Sequence, residues 1–212
     1  MKPIYLAALL AFGTVSCVDN LPKLQILQSA PPEEDCSVPD DVALLSGSLN
    51  LALAGDYLVG LTVTSNLSDT PIVVGEGPVS DIDSTAVYLT ELELSYQTEP
   101  ELNIPSATVP IYGTFRGNAD GSMVLGLLTR DAQNALLAAT AGGGAVVDVL
   151  VTLRVRGHTV AGGDVETNEI SYPLVVGFAE YKCPKDGDVH GPSVGPCDPR
   201  GQNGAVPECV TP

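Results

Sequence analysis

The sequence predicts an all-β fold, namely an antiparallel, immunoglobulin-like β-sandwich with one short helix over residues 42–182. Several runs alternate apolar with polar residues, which is the period of a strand with one buried face. Turn residues separate these runs at regular intervals, as they do in sandwiches. Only one stretch has a helical composition. A closed β-barrel built from the same strands is the alternative architecture.

The first half of this domain contains two alternating runs and one short strand. The runs "GSLNLAL" and "YLVGLTVTSN" are separated by the turn residues "AGD". The side chains predicted to face the core are Leu49, Leu51 and Leu53 in the first run and Tyr57, Val59, Leu61 and Val63 in the second. The segment "TPIVVGEG" begins with Pro and ends with Gly, so it is predicted to be an edge strand.

The middle of the domain contains a long strand and a predicted hairpin. In "VYLTELELSYQ", Tyr88, Leu92, Leu94 and Tyr96 are predicted to face one side, with the glutamates on the other. The segments "VPIYGTFRG" and "SMVLGLLT" flank "NADG", which is typical of a hairpin turn.

A helix and two long strands complete the domain. The segment "TRDAQNALLAAT" favours a helix that Thr129 caps and that "GGG" ends. Two alternating runs follow, and their predicted inward faces are Val147, Val149, Val151, Leu153 and Val155 in one and Ile170, Tyr172, Leu174, Val176 and Phe178 in the other.

The N-terminus has the layout of a secretory signal peptide. Lys2 precedes an apolar stretch that is too short to cross a bilayer, and a small residue comes before Cys17. The segment "TVSC" resembles the bacterial lipobox, in which cleavage occurs before a cysteine that carries a diacylglycerol thioether. This resemblance implies a signal peptide over residues 1–16 and lipidation at Cys17. Because Val18 follows the cysteine, the expected location is the outer membrane, facing either the periplasm or the surface.

Two segments flank the domain and contain the remaining cysteines. Residues 17–41 are rich in Pro and acidic residues and are predicted to be a flexible tether, while residues 183–212 form a cysteine-containing tail. An exported chain meets oxidising conditions, so four cysteines predict two disulfides. The four are Cys36, Cys183, Cys197 and Cys209. All three pairings are open, and at least one bridge is expected to join the tether to the tail.

The charge balance excludes one class of partner. Nine basic residues oppose 26 acidic ones, which gives a formal net charge of −17. Such a surface repels phosphate backbones, so nucleic acid is excluded as a partner, and membrane contact is expected through the lipid alone.

Residue patterns typical of catalysis are sparse. The chain has two histidines and lacks GxSxG, HExxH, SxxK, P-loop and GxGxxG motifs. His158 is interpreted as a solvated turn residue. Asp186, Asp188 and His190 alternate in "KDGDVHG", so they are weak candidates for metal ligands. No metal or other cofactor is predicted.

Three stretches carry a resemblance to a group of proteins. The segments "GSLNLALAGDYLVGLTVTSNL" and "GHTVAGGDVETNEISYPLVVG", together with "CDPRGQNG" in the tail, resemble uncharacterised lipoproteins of myxobacteria and their relatives. That group has no assigned activity, so the resemblance implies only a sandwich fold and an envelope location.

These observations lead to one functional hypothesis and two alternatives. We expect a lipid-anchored cell-envelope protein that is a non-catalytic binding, adhesion or structural module, with another envelope protein as its partner. The first alternative is a periplasmic metal-dependent hydrolase that uses Asp186, Asp188 and His190. The second is a carbohydrate-binding module, which ranks lower because the chain has no Trp and most Tyr and Phe residues are predicted to face inward.

Overall fold

The computed structural model describes residues 22–67, 73–75, 77–78, 86–117, 119–142 and 144–212. They form one helix, α1 (Arg130–Thr140), and thirteen strands. The strands are β1 (Leu24–Ala30), β2 (Gly47–Asn50), β3 (Leu58–Ser65), β4 (Val73–Val74), β5 (Gly77–Pro78), β6 (Val87–Glu99), β7 (Ala107–Phe115), β8 (Asp120–Gly126), β9 (Val146–Thr159), β10 (Asp164–Glu166), β11 (Ile170–Gly177), β12 (Val189–His190) and β13 (Cys209–Val210).

Two sheets enclose the core. The smaller has the order β1-β3-β8, and the larger has the order β2-β11-β9-β6-β7 with β10 also paired to β9. Neighbouring strands are antiparallel except for β2 and β11. Among the described residues the strands form two separate sheets, which one parallel β-bridge between Leu24 and Thr167 connects, so the arrangement is sandwich-like rather than a closed barrel. The predicted all-β sandwich with one short helix is confirmed.

The period-two pattern identified most of the core correctly. The predicted inward residues of β9 are all buried, as are Tyr57, Val59, Leu61 and Val63 around β3. The inward face of β11 is buried at Tyr172, Leu174 and Val176. One predicted strand is shorter than expected, since β2 ends at Asn50 and the chain then turns.

The prediction of a flexible tether over residues 17–41 is wrong for Leu24–Ala30. These residues form β1, which pairs with β3, and Leu24, Ile26 and Ala30 are buried. The free side of β1 is covered at Ile26, whose N–H donates to Asn168 Oδ1 at 2.7 Å. Prolines and acidic residues on both sides of this short segment give residues 17–41 the composition of a linker, although the strand itself contains Leu24, Ile26 and Leu27. The strand also depends on a long-range partner that local composition does not reveal.

The predicted hairpin around "NADG" is also wrong. β7 pairs with β6 in the larger sheet, whereas β8 pairs with β3 in the smaller one. The chain therefore passes from one sheet to the other between these two strands. The turn residues were recognised correctly, but a turn composition does not reveal whether the flanking strands share a sheet.

The described part of the segment "TPIVVGEG" does not extend either main sheet. Among the described residues, Val73–Val74 pairs with Gly77–Pro78 in a separate two-stranded sheet. The predicted helix, in contrast, is confirmed. Thr129 is its N-cap and Thr129 Oγ1 accepts a hydrogen bond from the Ala132 N–H at 3.2 Å.

The tail packs onto one end of the sandwich. The Asn50 N–H donates to Gly201 O at 2.7 Å, and the Leu58 N–H donates to Gln202 Oε1 at 2.8 Å. Asn203 Nδ2 donates to the hydroxyl of the buried Tyr57 at 3.1 Å. Backbone and side-chain groups of "CDPRGQNG" thus form hydrogen bonds with backbone and hydroxyl groups at the ends of β2 and β3.

Asp198 and Arg200 form an ion pair within this tail. The pKa of Asp198 predicts how the stability of the fold depends on pH. Burial raises the pKa of Asp198, but hydrogen bonds from Arg200 and the Val194 N–H outweigh it and lower the pKa to about 2. The folded state therefore binds fewer protons than the unfolded chain, whose Asp pKa is about 3.9. We expect this contribution to the free energy of unfolding to be present above about pH 4 and to be lost as pH falls to about 2.

Urea unfolding measured between these pH values checks this expectation. The matched variant Asp198→Asn keeps the size of the side chain and removes the titrating group. A loss between pH 4 and pH 2 that is equally large in Asp198→Asn would contradict the assignment to Asp198.

Candidate binding site

The outer surface of the larger sheet carries a row pattern across β7, β6, β9 and β10. The antiparallel register places Thr114, Tyr88, His158 and Asp164 in one row and Pro110, Glu91, Arg156 and Glu166 in the next. We call this surface the aromatic–charged face. It consists of Tyr88, Glu91, Glu93, Tyr112, Arg154, Arg156, His158, Asp164, Glu166 and Glu169.

A β-bulge in β6 turns Tyr88 to the outside. The pairing shifts register between Leu89 and Glu91, so that Val87 and Leu89 point inward before the bulge and Leu92 and Leu94 point inward after it. Tyr88 is 45% exposed, and the prediction that it faces the core is wrong. The spacing of the leucines in the sequence indicates this bulge. Leu89 and Leu92 are both buried although they are three residues apart, whereas buried residues in a regular strand are two apart.

A glycine in β9 makes room for the bulged strand. A Cβ atom at Gly157 would collide with the carbonyl oxygen of Tyr88 and would lie 3.0 Å from the Cα of Leu89. Only a residue without a side chain fits at this close approach of two backbones. Gly157 therefore allows the register that exposes Tyr88.

Two aromatic side chains dominate this surface. The Tyr88 ring lies against the ring of His158, with centroids 5.6 Å apart and planes inclined by 33°. Tyr112 is 95% exposed, because alternate residues of β7 such as Val109 and Ile111 pack toward the core. Since Tyr88 pairs with Thr114, Tyr112 is its diagonal neighbour, at a Cα separation of roughly 7–8 Å. His158 is a strand residue and not the turn residue that we predicted.

Ion pairs hold the two central arginines in place. Arg154 lies 3.2 Å from Glu169 and 3.7 Å from Glu166, and Arg156 lies 3.2 Å from Glu93 and 3.8 Å from Glu166. The side chains are partly exposed, so each pair contributes little to stability. The Nε atoms of both arginines are shielded from solvent, and Arg156 Nε is the atom that lies 3.2 Å from Glu93 Oε1, without the angle of a hydrogen bond.

Two clefts lie on this face. The larger, of about 650 Å³, is lined by carboxylates and by cationic groups, among them Lys23, Glu91, Arg156, His158, Asp164 and Glu166. The smaller, of about 290 Å³, is bordered by Glu93, Arg154 and Glu169. Both are open to solvent, and the larger has a volume within the range of ligand sites in other proteins.

The weak metal candidates serve local structure. Asp186 is exposed, and Asp188 Oδ1 accepts a hydrogen bond from Thr211 Oγ1 at 3.1 Å. The His190 ring stacks on Tyr181, and its Nε2 lies 3.1 Å from the Tyr181 carbonyl oxygen. In the part of the chain that the structure describes, no three His, Cys, Asp or Glu residues are grouped so that they could hold a metal ion.

Both disulfides form, and the structure resolves their pairing. Cys36 is bonded to Cys197, and Cys183 is bonded to Cys209. The first bridge joins the segment after β1 to the tail, as the sequence predicted, and the second closes a loop within the tail. Cys17, the predicted lipidation site, lies outside the described residues.

Comparison with known proteins adds little. No family model matches the chain, and a search of curated proteins found no similar sequence. Among the solved structures that match is the solution structure of a protein described as late embryogenesis abundant, with 10% sequence identity and a TM-score of 0.37. The match covers 81% of this chain and 78% of that one. So low a score carries no argument about function.

Membrane-spanning helices are also missing from the described residues. The one helix present, α1, has 11 residues, and none of the described segments is a helix long and apolar enough to cross a bilayer.

Proposed function

We propose that this protein is a lipid-anchored, non-catalytic binding module of the bacterial cell envelope and that the aromatic–charged face is its ligand surface. The observation that carries the proposal is the exposure of Tyr112 and Tyr88 on one side of a sheet whose opposite side forms the core. A large aromatic side chain that is 95% exposed adds nothing to packing, whereas it is a common anchor in binding surfaces.

The disulfides support a location outside the cytoplasm. The two bridges use four of the five cysteines, and Cys17 in the lipobox-like segment is not among those four. Disulfides persist in oxidising compartments and are rare in the cytosol. Acyl chains on Cys17 would hold the protein at a membrane, since two or more chains anchor stably where one binds reversibly.

The described carboxyl groups with shifted pKa values support a non-catalytic role. Hydrogen bonds from Ser37 lower the pKa of Asp35, burial raises the pKa of Asp56, and Asp198 is described above. Asp56 Oδ1 accepts hydrogen bonds from the N–H groups of Tyr57 and Leu128, each at 2.8 Å. Perturbed pKa values often mark catalytic sites, but these three groups lie in turns and outside the aromatic–charged face.

The anchor is tested by the mass of the protein purified from the membrane fraction of a bacterial host. We expect a mass equal to residues 17–212 plus acyl chains, with the added mass located on the peptide that contains Cys17. Cys17→Ser is expected to lose this mass and to leave the membrane fraction. The matched control is Cys183→Ser with Cys209→Ser, which also removes cysteines and should retain the acyl chains. A wild-type protein without added mass would overturn the anchoring proposal.

A further inference from the structure

We infer that the aromatic–charged face binds a chain of neutral pyranose sugars. This inference rests on the proposed function, because it assigns a ligand class to the binding surface proposed above. The carbohydrate-binding alternative ranked low in the sequence because the aromatic residues were predicted to face inward. The bulge in β6 and the alternation of β7 place Tyr88 and Tyr112 outside instead.

The tyrosine rings suit the apolar faces of a sugar. One side of a pyranose ring presents C–H groups, and these pack on the face of an aromatic ring while the hydroxyl groups remain at the edge of the sugar. Tyr88 is held by its contact with His158, so its ring loses little freedom on binding. Tyr112 lies one strand away, close enough for adjacent sugars of one chain to contact both rings.

The larger cleft suits the hydroxyl groups. A hydroxyl both donates and accepts, so it is best satisfied where acceptors and donors alternate. In the row next to that of Tyr88, Arg156 of β9 lies between Glu91 of β6 and Glu166 of β10. A donor therefore lies between two acceptors on three neighbouring strands. Asp164 and Lys23 add one further group of each sign at the border of the cleft.

The local charge favours a neutral ligand. Three carboxylates oppose Lys23 and Arg156 in the larger cleft, and the whole chain has a net charge of −17, so anionic polymers are repelled. Both clefts are open to solvent, and Arg154 in one and Arg156 in the other lie two residues apart on the same strand, which suits an extended chain more than an enclosed single sugar.

A protein partner fits this surface less well. Stable protein interfaces have an apolar centre that excludes water, whereas here charged residues of β6, β9 and β10 lie next to the two tyrosines. Strand addition at the outer edge of β7 is interrupted by Pro110, which has no N–H to donate.

Binding is tested with the full lipidated chain in detergent micelles. The probes are the neutral polysaccharides cellulose, amylose and chitin, which differ in linkage and substituents. Purified peptidoglycan sacculi, which carry carboxylates, are the charged comparison and are expected to bind more weakly than the best neutral probe. We expect saturable binding to at least one probe, with an affinity that changes little between low and high salt because no net charge is neutralised. Soluble oligosaccharides of the same sugar should compete.

Three substitutions and a control make the test specific. Tyr112→Ala and Tyr88→Ala are each expected to weaken binding about tenfold or more, whereas Tyr112→Phe should bind as the wild type does because stacking needs only the ring. Leu45→Ala removes another highly exposed apolar side chain, 82% exposed and outside this face, and should have no effect. Tyr112 is so exposed that its replacement should leave the unfolding transition unchanged.

The outcomes separate this inference from the proposed function. The saccharide inference is overturned if no probe binds, or if Tyr112→Ala binds as tightly as the wild type does. If an envelope protein is retained in a Tyr112-dependent way that protease abolishes and glycosidases do not, the sugar class is wrong and the binding surface stands. The anchoring proposal is tested independently of sugar binding, by the mass measurement on the wild type and on Cys17→Ser.

Discussion

Replacing Cys36 and Cys197 together by serine is expected to lower the free energy of unfolding by about 5 kcal/mol, as judged from loop closure in the unfolded chain. The bridge joins residues 161 positions apart, and the stabilisation in this view grows with the logarithm of the loop length. It is the one covalent connection among the described residues between the segment that follows β1 and the tail.

The surrounding contacts explain why this bridge affects the whole domain. Next to it, the Cys197 N–H donates to Glu34 O at 3.2 Å. Further along the tail, Gln202 and Asn203 satisfy polar groups at the ends of β2 and β3. Without the bridge, only noncovalent contacts such as these hold the tail against the sandwich, and the entropy of ordering opposes them.

The matched variant removes the other bridge. Cys183→Ser with Cys209→Ser opens a connection across only 26 positions, so the expected loss is about 3.5 kcal/mol. Urea unfolding of the two double variants, each compared with the wild type, measures both losses. Equal losses, or a larger loss for the shorter connection, would contradict the argument from loop length.

Gly157→Ala is expected to lower the free energy of unfolding by about 3 kcal/mol, the cost of inserting an atom into a space that is already filled. The new Cβ would collide with the carbonyl oxygen of Tyr88, which belongs to the backbone and cannot rotate away. β6 and β9 must then separate or change register next to the bulge. Either response moves Tyr88, so we also expect weaker binding at the aromatic–charged face.

A second glycine provides the control for this prediction. At Gly177 in β11 the nearest atom to a new Cβ is Val146 Cγ2, at an ordinary 3.9 Å. Gly177→Ala should therefore unfold at the same urea concentration as the wild type or a higher one and should bind as the wild type does. A Gly157→Ala protein as stable as Gly177→Ala would show that the two strands accommodate the methyl group, against the proposed role of Gly157.

Local patterns in the chain determined most of the sandwich. The inward residues of β3, β9 and β11 follow the alternation because a strand with one buried face must place every second side chain in the core. Helix α1 and its N-cap at Thr129 could also be predicted, because helix formation and capping depend on residues that are close together in the chain. The even number of cysteines outside the lipobox-like segment predicted two bridges, and their positions predicted that one would reach the tail.

Contacts between residues that are distant in the chain determined the pairing of β1, β7 and β8 and the orientation of Tyr88. Local composition gives little indication of such contacts. β1 is a strand because β3 and Asn168 satisfy its backbone, although its neighbours resemble a linker. β7 and β8 belong to different sheets because their pairing partners lie elsewhere in the chain. Tyr88 became part of the candidate site because one extra residue in β6 reverses the alternation, and a shift of one residue sends every following side chain to the opposite face. Alternation within a strand is a local property of the backbone, whereas register and pairing depend on which distant strand supplies the hydrogen bonds.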